Sequence, residues 1–169
     1  MALEVRIDGA VPRPPRVLVI GLGNPVLGDD GVGWRVIEEL GRDPRGTGSA
    51  ELDRLAVGGV ALMERLVGWE RAILVDAFAT GDRPPGTVTC MPLEDARLRD
   101  AAHLDSPHDA PLTVAIATGR RLGAEIPVDI TVVAIEVKRA DSFGESLSAP
   151  VEAAVARAVD AIVDLLRGG

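Results

Sequence analysis

Short, wholly apolar runs alternate along the chain with stretches in which apolar residues recur every three or four positions. Val17 to Ile20 is a continuous apolar run closed by Gly21, the pattern of a central strand covered on both faces. Val32, Val36, Ile37 and Leu40 follow at helical spacing, and Gly41 and Pro44 stop that helix. Glu51 to Val57 predicts a second strand, Gly58-Gly59 a turn, and Val60 to Val67 a second helix with Leu62 and Leu66 inward. Ala72 to Val75 is again fully apolar and is predicted to end as a strand at Asp76.

In the second half, GDRPPG (Gly81 to Gly86) predicts a rigid turn, and Thr87 to Met91 a fourth strand. The connection before that strand is too short for a crossover helix, so it is expected at a sheet edge. Asp105 to Pro111 is a polar loop, followed by a helix with Leu112, Ala115, Ile116, Gly119 and Leu122 on one face. Ile130 to Val137 is the fifth strand. Pro150 stands near the start of a long amphipathic helix carrying Val151, Val155, Val159, Ile162 and Leu166. Strands alternating with helices predict an α/β fold: a three-layer α/β/α sandwich, phosphorylase- or hydrolase-like, around a five-stranded, mostly parallel, twisted sheet with an edge strand. Ligands bind such sheets beyond the carboxyl ends of the strands, so function is expected in the loops after Ile20, Val57, Val75 and Val137.

Composition narrows the picture. The 169 residues suit one domain, expected over residues 16–169, with residues 1–15 a flexible extension made stiff and extended locally by Pro12, Pro14 and Pro15. The chain is 47% hydrophobic but only 2% aromatic, so the core must be aliphatic. A net charge of −8 repels phosphate backbones and argues against nucleic-acid partners. The amino-terminal segment has no long apolar stretch and carries Glu4 and Asp8, which predicts a cytoplasmic protein without a membrane anchor. Cys90 alone allows no internal disulfide and is read as a small buried residue of the fourth strand.

The turn after the first strand carries the chemistry. Gly23 and Gly28 have the spacing of a phosphate-binding P-loop, yet Asp29 and Asp30 stand where its Lys and Ser or Thr belong. Two anions there repel a triphosphate. The dinucleotide fingerprint also fails, because Val26 occupies its third glycine position. Helix capping accounts for one of the two carboxylates. The second is surplus to that need, and a divalent cation is what acidic residues at this rim hold. Asp76 should emerge at the same rim, although an Asp there could equally form a turn. His108, in the segment SPHDAP ahead of a helix, is by itself an ordinary loop histidine. Its position matters, since a helix N-terminus disfavours imidazolium and keeps the ring neutral and able to coordinate. Two carboxylates and one imidazole leave coordination positions open and suit Ni, Zn, Mn or Fe. His103, between Ala102 and Leu104, is the weaker candidate.

GLGNPVLGDDGVG (Gly21 to Gly33), ILVDA (Ile73 to Ala77) and SPH (Ser106 to His108), in this order, resemble the motifs of the hydrogenase maturation proteases, over about Arg16 to Leu166. The resemblance implies an endopeptidase that removes the C-terminal extension of a [NiFe]-hydrogenase large-subunit precursor once nickel has been inserted. It also implies a metal set of Asp30, Asp76 and His108, reading nickel that arrives within the precursor; zinc could occupy the set in vitro, and no nucleotide is expected. Two positions depart from the family pattern: Val60 after Gly58-Gly59 where Thr is common, and Val137 after Glu136 where Pro is common. Cleavage could use water activated by the metal, or a carboxylate such as Asp29 as general base. Two alternatives come from other classes. VIGLGNP (Val19 to Pro25) also opens the peptidyl-tRNA hydrolases, which continue into an Arg-His-Asn segment rather than Gly28-Asp29-Asp30-Gly31, and the glycines alone would allow a non-catalytic nucleotide-binding module.

Overall fold

The computed structural model describes residues 16–56, 59–100, 112–138 and 143–168. Its elements follow the alternation of the sequence: β1 (Val17–Leu22), a 3-10 turn (Gly28–Gly31), α1 (Val32–Arg42), β2 (Glu51–Leu55), α2 (Val60–Leu66), β3 (Arg71–Phe78), β4 (Val88–Pro92), α3 (Leu93–Asp100), α4 (Leu112–Arg121), β5 (Asp129–Glu136) and α5 (Ala149–Arg167). The strands form one sheet in the order β2-β1-β3-β5-β4, with parallel pairing throughout except that β4 runs antiparallel to β5. β4 is therefore an edge strand, as its short approach predicts.

Alternation along each strand divides the core in two. Val19, Ile73, Val75, Val133 and Ile135 face one layer and pack with Val36 and Leu40 of α1 and Val155, Val159 and Ile162 of α5. Leu18, Ile20, Leu74 and Val132 face the other and pack with Leu62 and Leu66 of α2, Leu93 of α3 and Ile116 of α4. This is the three-layer sandwich, and its core is aliphatic as the composition requires. Each Leu or Ile so enclosed contributes about 2 kcal/mol relative to exposure. Among the described residues no helix is long and apolar enough to cross a membrane.

Three expectations need correction, and one helix, α3, was not anticipated. β3 does not end at Asp76 but runs on to Phe78, because β5 continues to pair with it through Asp76↔Ala134 and Phe78↔Glu136. α3 falls in a stretch for which the sequence offers almost no stripe: only Leu93 and Ala96 of its described side chains turn inward, 1% and 3% exposed. Leu122, expected on the inner face of α4, is exposed, since that helix stops at Arg121 and the chain turns away. Cys90 is likewise exposed, lying on the open edge strand. Residues 1–15, read as an extension, lie outside the described residues.

Candidate functional site

The acidic turn sits over the carboxyl ends of β1 and β3 because glycines let backbone touch backbone. A Cβ on Gly33 would lie 2.6 Å from the Val75 carbonyl and against that of Leu22, so α1 begins in direct contact with both strand ends. Gly23, at φ +113°, takes a conformation few other residues tolerate, and a Cβ there would strike the Asp30 carbonyl. The 3-10 turn consequently touches β3.

Within this turn the two adjacent carboxylates part company. Asp29 is buried, and both its oxygens are engaged by Ser148 at the start of α5: the Ser148 N–H donates to Oδ1 at 2.6 Å and its hydroxyl to Oδ2 at 2.7 Å. Asp30 is exposed and accepts the Asn24 N–H through Oδ2 at 2.6 Å, while Asn24 Oδ1 accepts the Val26 N–H at 3.1 Å. Neither caps its own helix, contrary to the simplest expectation for an Asp pair at a helix start. Asp29 instead secures a helix distant in sequence, and Asp30 closes the loop while remaining open to a ligand.

Asp76 is half-buried and lies one step beyond Gly21↔Val75 in the β1–β3 register, where β1 gives way to the glycine turn. Its Oδ1 accepts the Ala77 N–H at 2.9 Å. By the alternation of β3, Asp76 shares a face with Ala72 and Leu74, the face covered by α2 and α4. α4 leads into the parallel strand β5, so α4 begins at the carboxyl rim on that same side. Asp30 and Asp76 thus come to one rim, from the turn and from the strand it rests on. His108, four positions before α4, and His103 lie outside the described residues. Among the described residues no group of three His, Cys, Asp or Glu side chains gathers to hold a metal. Asp30 and Asp76 each present carboxylate oxygens, hard donors of the kind that divalent ions prefer.

Two further residues at this rim escaped sequence reasoning. Glu136, at the end of β5, is buried; its carboxylate accepts the Thr80 hydroxyl at 2.8 Å and the Gly81 N–H at 2.8 Å. A charged residue closing an apolar run was the available signal, the same one that marks Asp76. Ser148 gave none. Cys90 stands away from this rim on β4, and partial desolvation raises its thiol pKa, the opposite of an activated nucleophile.

An open, mostly parallel sheet with acidic side chains in the turn and strand end at its carboxyl rim is the framework of an α/β enzyme. The hydrogenase maturation protease family profile matches residues 35–165, a span that begins after the Gly21–Gly33 turn and so supports the assignment independently of it. The chain belongs to the hydrogenase maturation protease family and is a peptidase of that class. It is 26% identical over 152 residues to the hydrogenase 2 maturation protease of Escherichia coli, covering 90% of this chain and 91% of that one. It superposes on the E. coli hydrogenase maturating endopeptidase HybD with a TM-score of 0.76 at 26% identity, covering 90% and 93% of the two chains. With the hydrogenase 2 maturation peptidase of a Thaumarchaeota archaeon the TM-score is 0.64 at 30% identity, over 90% and 98%.

Proposed function

We propose that this peptidase removes the C-terminal extension from the precursor of a [NiFe]-hydrogenase large subunit after nickel has been inserted, and that it recognises the nickel carried by that substrate. The observation that supports the reading is the seating of the acidic turn on β3, which puts Asp30 and Asp76 on the same carboxyl rim. Two carboxylates held by backbone, one exposed and one half-buried, suit capture of a cation presented by a protein better than permanent enclosure of one. His108 is the third ligand in this reading; it stands four positions before Leu112 of α4, a tether of at most roughly 14 Å. An imidazole added to two carboxylates gives a set that accepts nickel or zinc and leaves positions for the precursor's own ligands.

Asp29 takes a supporting role here. Asp29 is only 7% exposed and both of its oxygens are engaged by Ser148, which leaves it little access to an attacking water. Its part is to hold the turn that carries Asp30.

The test offers the purified protein a large-subunit precursor with and without nickel and weighs the products by mass spectrometry. Cleavage of the loaded form alone is expected. Equal cleavage of both forms would remove nickel from the reading, and cleavage of neither would remove the substrate.

A further inference from the structure

Two charged residues among those described are more than nine-tenths buried: Asp29, 7% exposed, and Glu136, 6% exposed. Asp29 secures α5, whereas the proposed function gives Glu136 no task. A buried carboxylate is costly unless hydrogen-bonded, so what Glu136 binds indicates what it is for. Its side chain accepts the Thr80 hydroxyl at both oxygens, 3.0 and 2.8 Å, and the Gly81 N–H at 2.8 Å. Thr80 in turn accepts the Asp82 N–H at 3.2 Å. The main chain of Glu136 holds the other end of the same loop: its N–H donates to the Thr87 carbonyl at 2.9 Å, and its carbonyl accepts the Gly86 N–H at 2.7 Å.

One residue therefore fastens both ends of the loop over residues 79–87, the entrance by its carboxylate and the exit by its backbone. Between those ends residues 81–85 are exposed. The loop leaves β3 immediately after Phe78, two positions past Asp76, and Glu136 pairs opposite Phe78 at the end of β5. An apolar residue would serve a core at this position. A carboxylate whose partners among the described residues are a hydroxyl and an amide of one loop serves the placement of that loop.

We propose that Glu136 is a positioning residue, which through Thr80 and Gly81 holds the main chain of residues 81–85 as a wall of the path taken by the precursor's C-terminal segment past Asp76. The proposal rests on the functional reading above. Glu136→Gln keeps the shape but replaces an acceptor with a donor, Thr80→Ala removes the hydroxyl, and Thr80→Ser restores it.

For nickel-loaded precursor, Glu136→Gln and Thr80→Ala should each raise KM on the order of tenfold with kcat little changed, the pattern of lost ground-state contact. Both variants should remain folded under assay conditions, with unfolding midpoints lowered modestly because each disturbs the hydrogen bonds of a buried carboxylate, and Thr80→Ser should recover the loss. Thr80→Ser should behave as the parent, and the double variant should be no worse than the weaker single, because both remove one contact. Affinity for the intact precursor, measured in parallel by calorimetry, should fall by the same factor. Unchanged KM and affinity in both singles, or a loss confined to kcat, overturns the proposal. A parent protein that binds the precursor without cutting it counts against the functional reading while the affinities still decide this one; a parent that does neither overturns both.

Discussion

Ser148, 119 positions from Asp29 in sequence, donates two hydrogen bonds of 2.6 and 2.7 Å to the Asp29 carboxylate, fastening the acidic turn to the residue that leads into α5. Because Asp29 is buried, removing either partner leaves a polar group unsatisfied. Asp29→Asn and Ser148→Ala should each lower the unfolding free energy by about 1–3 kcal/mol. Urea denaturation checks this, and the double variant should lose less than the sum of the singles. Cleavage per folded molecule should survive in Ser148→Ala. Loss of cleavage in Asp29→Asn alone would return Asp29 to the role of base.

Gly33 has no room for a side chain, since a Cβ would press on the main-chain oxygens of Leu22 and Val75, neither of which can move without breaking the sheet. Gly33→Ala should therefore destabilise the fold by about 3 kcal/mol, the upper end of ordinary overpacking. Gly46→Ala is the control. Gly46 has a positive φ of +68° but nothing within 4 Å, so only backbone strain of about 1 kcal/mol is expected. Thermal melts of the two variants separate crowding from strain.

Asp30→Asn, Asp76→Asn and His108→Ala should each reduce kcat/KM for nickel-loaded precursor by at least on the order of a hundredfold. The folds should persist: an amide at position 30 still offers an oxygen to the Asn24 N–H, and one at position 76 still offers an oxygen to the Ala77 N–H. Circular dichroism and melting temperature provide the check on folding. Retained processing by all three variants would sink the proposed metal set.

Asp43, just past α1, is gripped by Arg45 through two side-chain hydrogen bonds of 2.8 and 2.6 Å, and this pairing pulls its carboxyl pKa down to about 2. Arg45 also reaches Asp160 of α5 at 2.8 Å. The folded pKa lies below the unfolded value of about 4. The pair therefore adds stability above about pH 4 and loses it as pH falls through about 2. At neutral pH Asp43→Asn should melt slightly below the parent, by a margin that shrinks in high salt and closes over that acid range. Paired melts along a pH series measure it.

What the sequence disclosed and what it withheld divide along physical lines. Strands buried on both faces announce themselves as apolar runs, so β1, β3 and β5 were legible, as were α1 and α5 with their regular stripes. Boundaries set by partners were not: β3 passes through Asp76 because β5 continues beside it, which no local pattern encodes. α3 was hidden because only its first turn is seen to reach the core. At the site, acidic residues at strand ends and in the glycine turn pointed to Asp30 and Asp76. The separation of Asp29 from Asp30 was invisible, because it depends on a serine more than a hundred residues away. Glu136 carried the same strand-end signature as Asp76 and could have been noticed by that rule.

Close backbone contacts at Gly23 and Gly33 support the bend that carries Asp30 alongside the Asp29–Ser148 tie, so this acid's address is written partly in chain length and in where the chain omits a Cβ. Aliphatic residues on either side of the sheet can be exchanged for others of like volume without displacing it. Deleting a single residue between Gly21 and Gly33 should move it even when every enclosed aliphatic contact is kept.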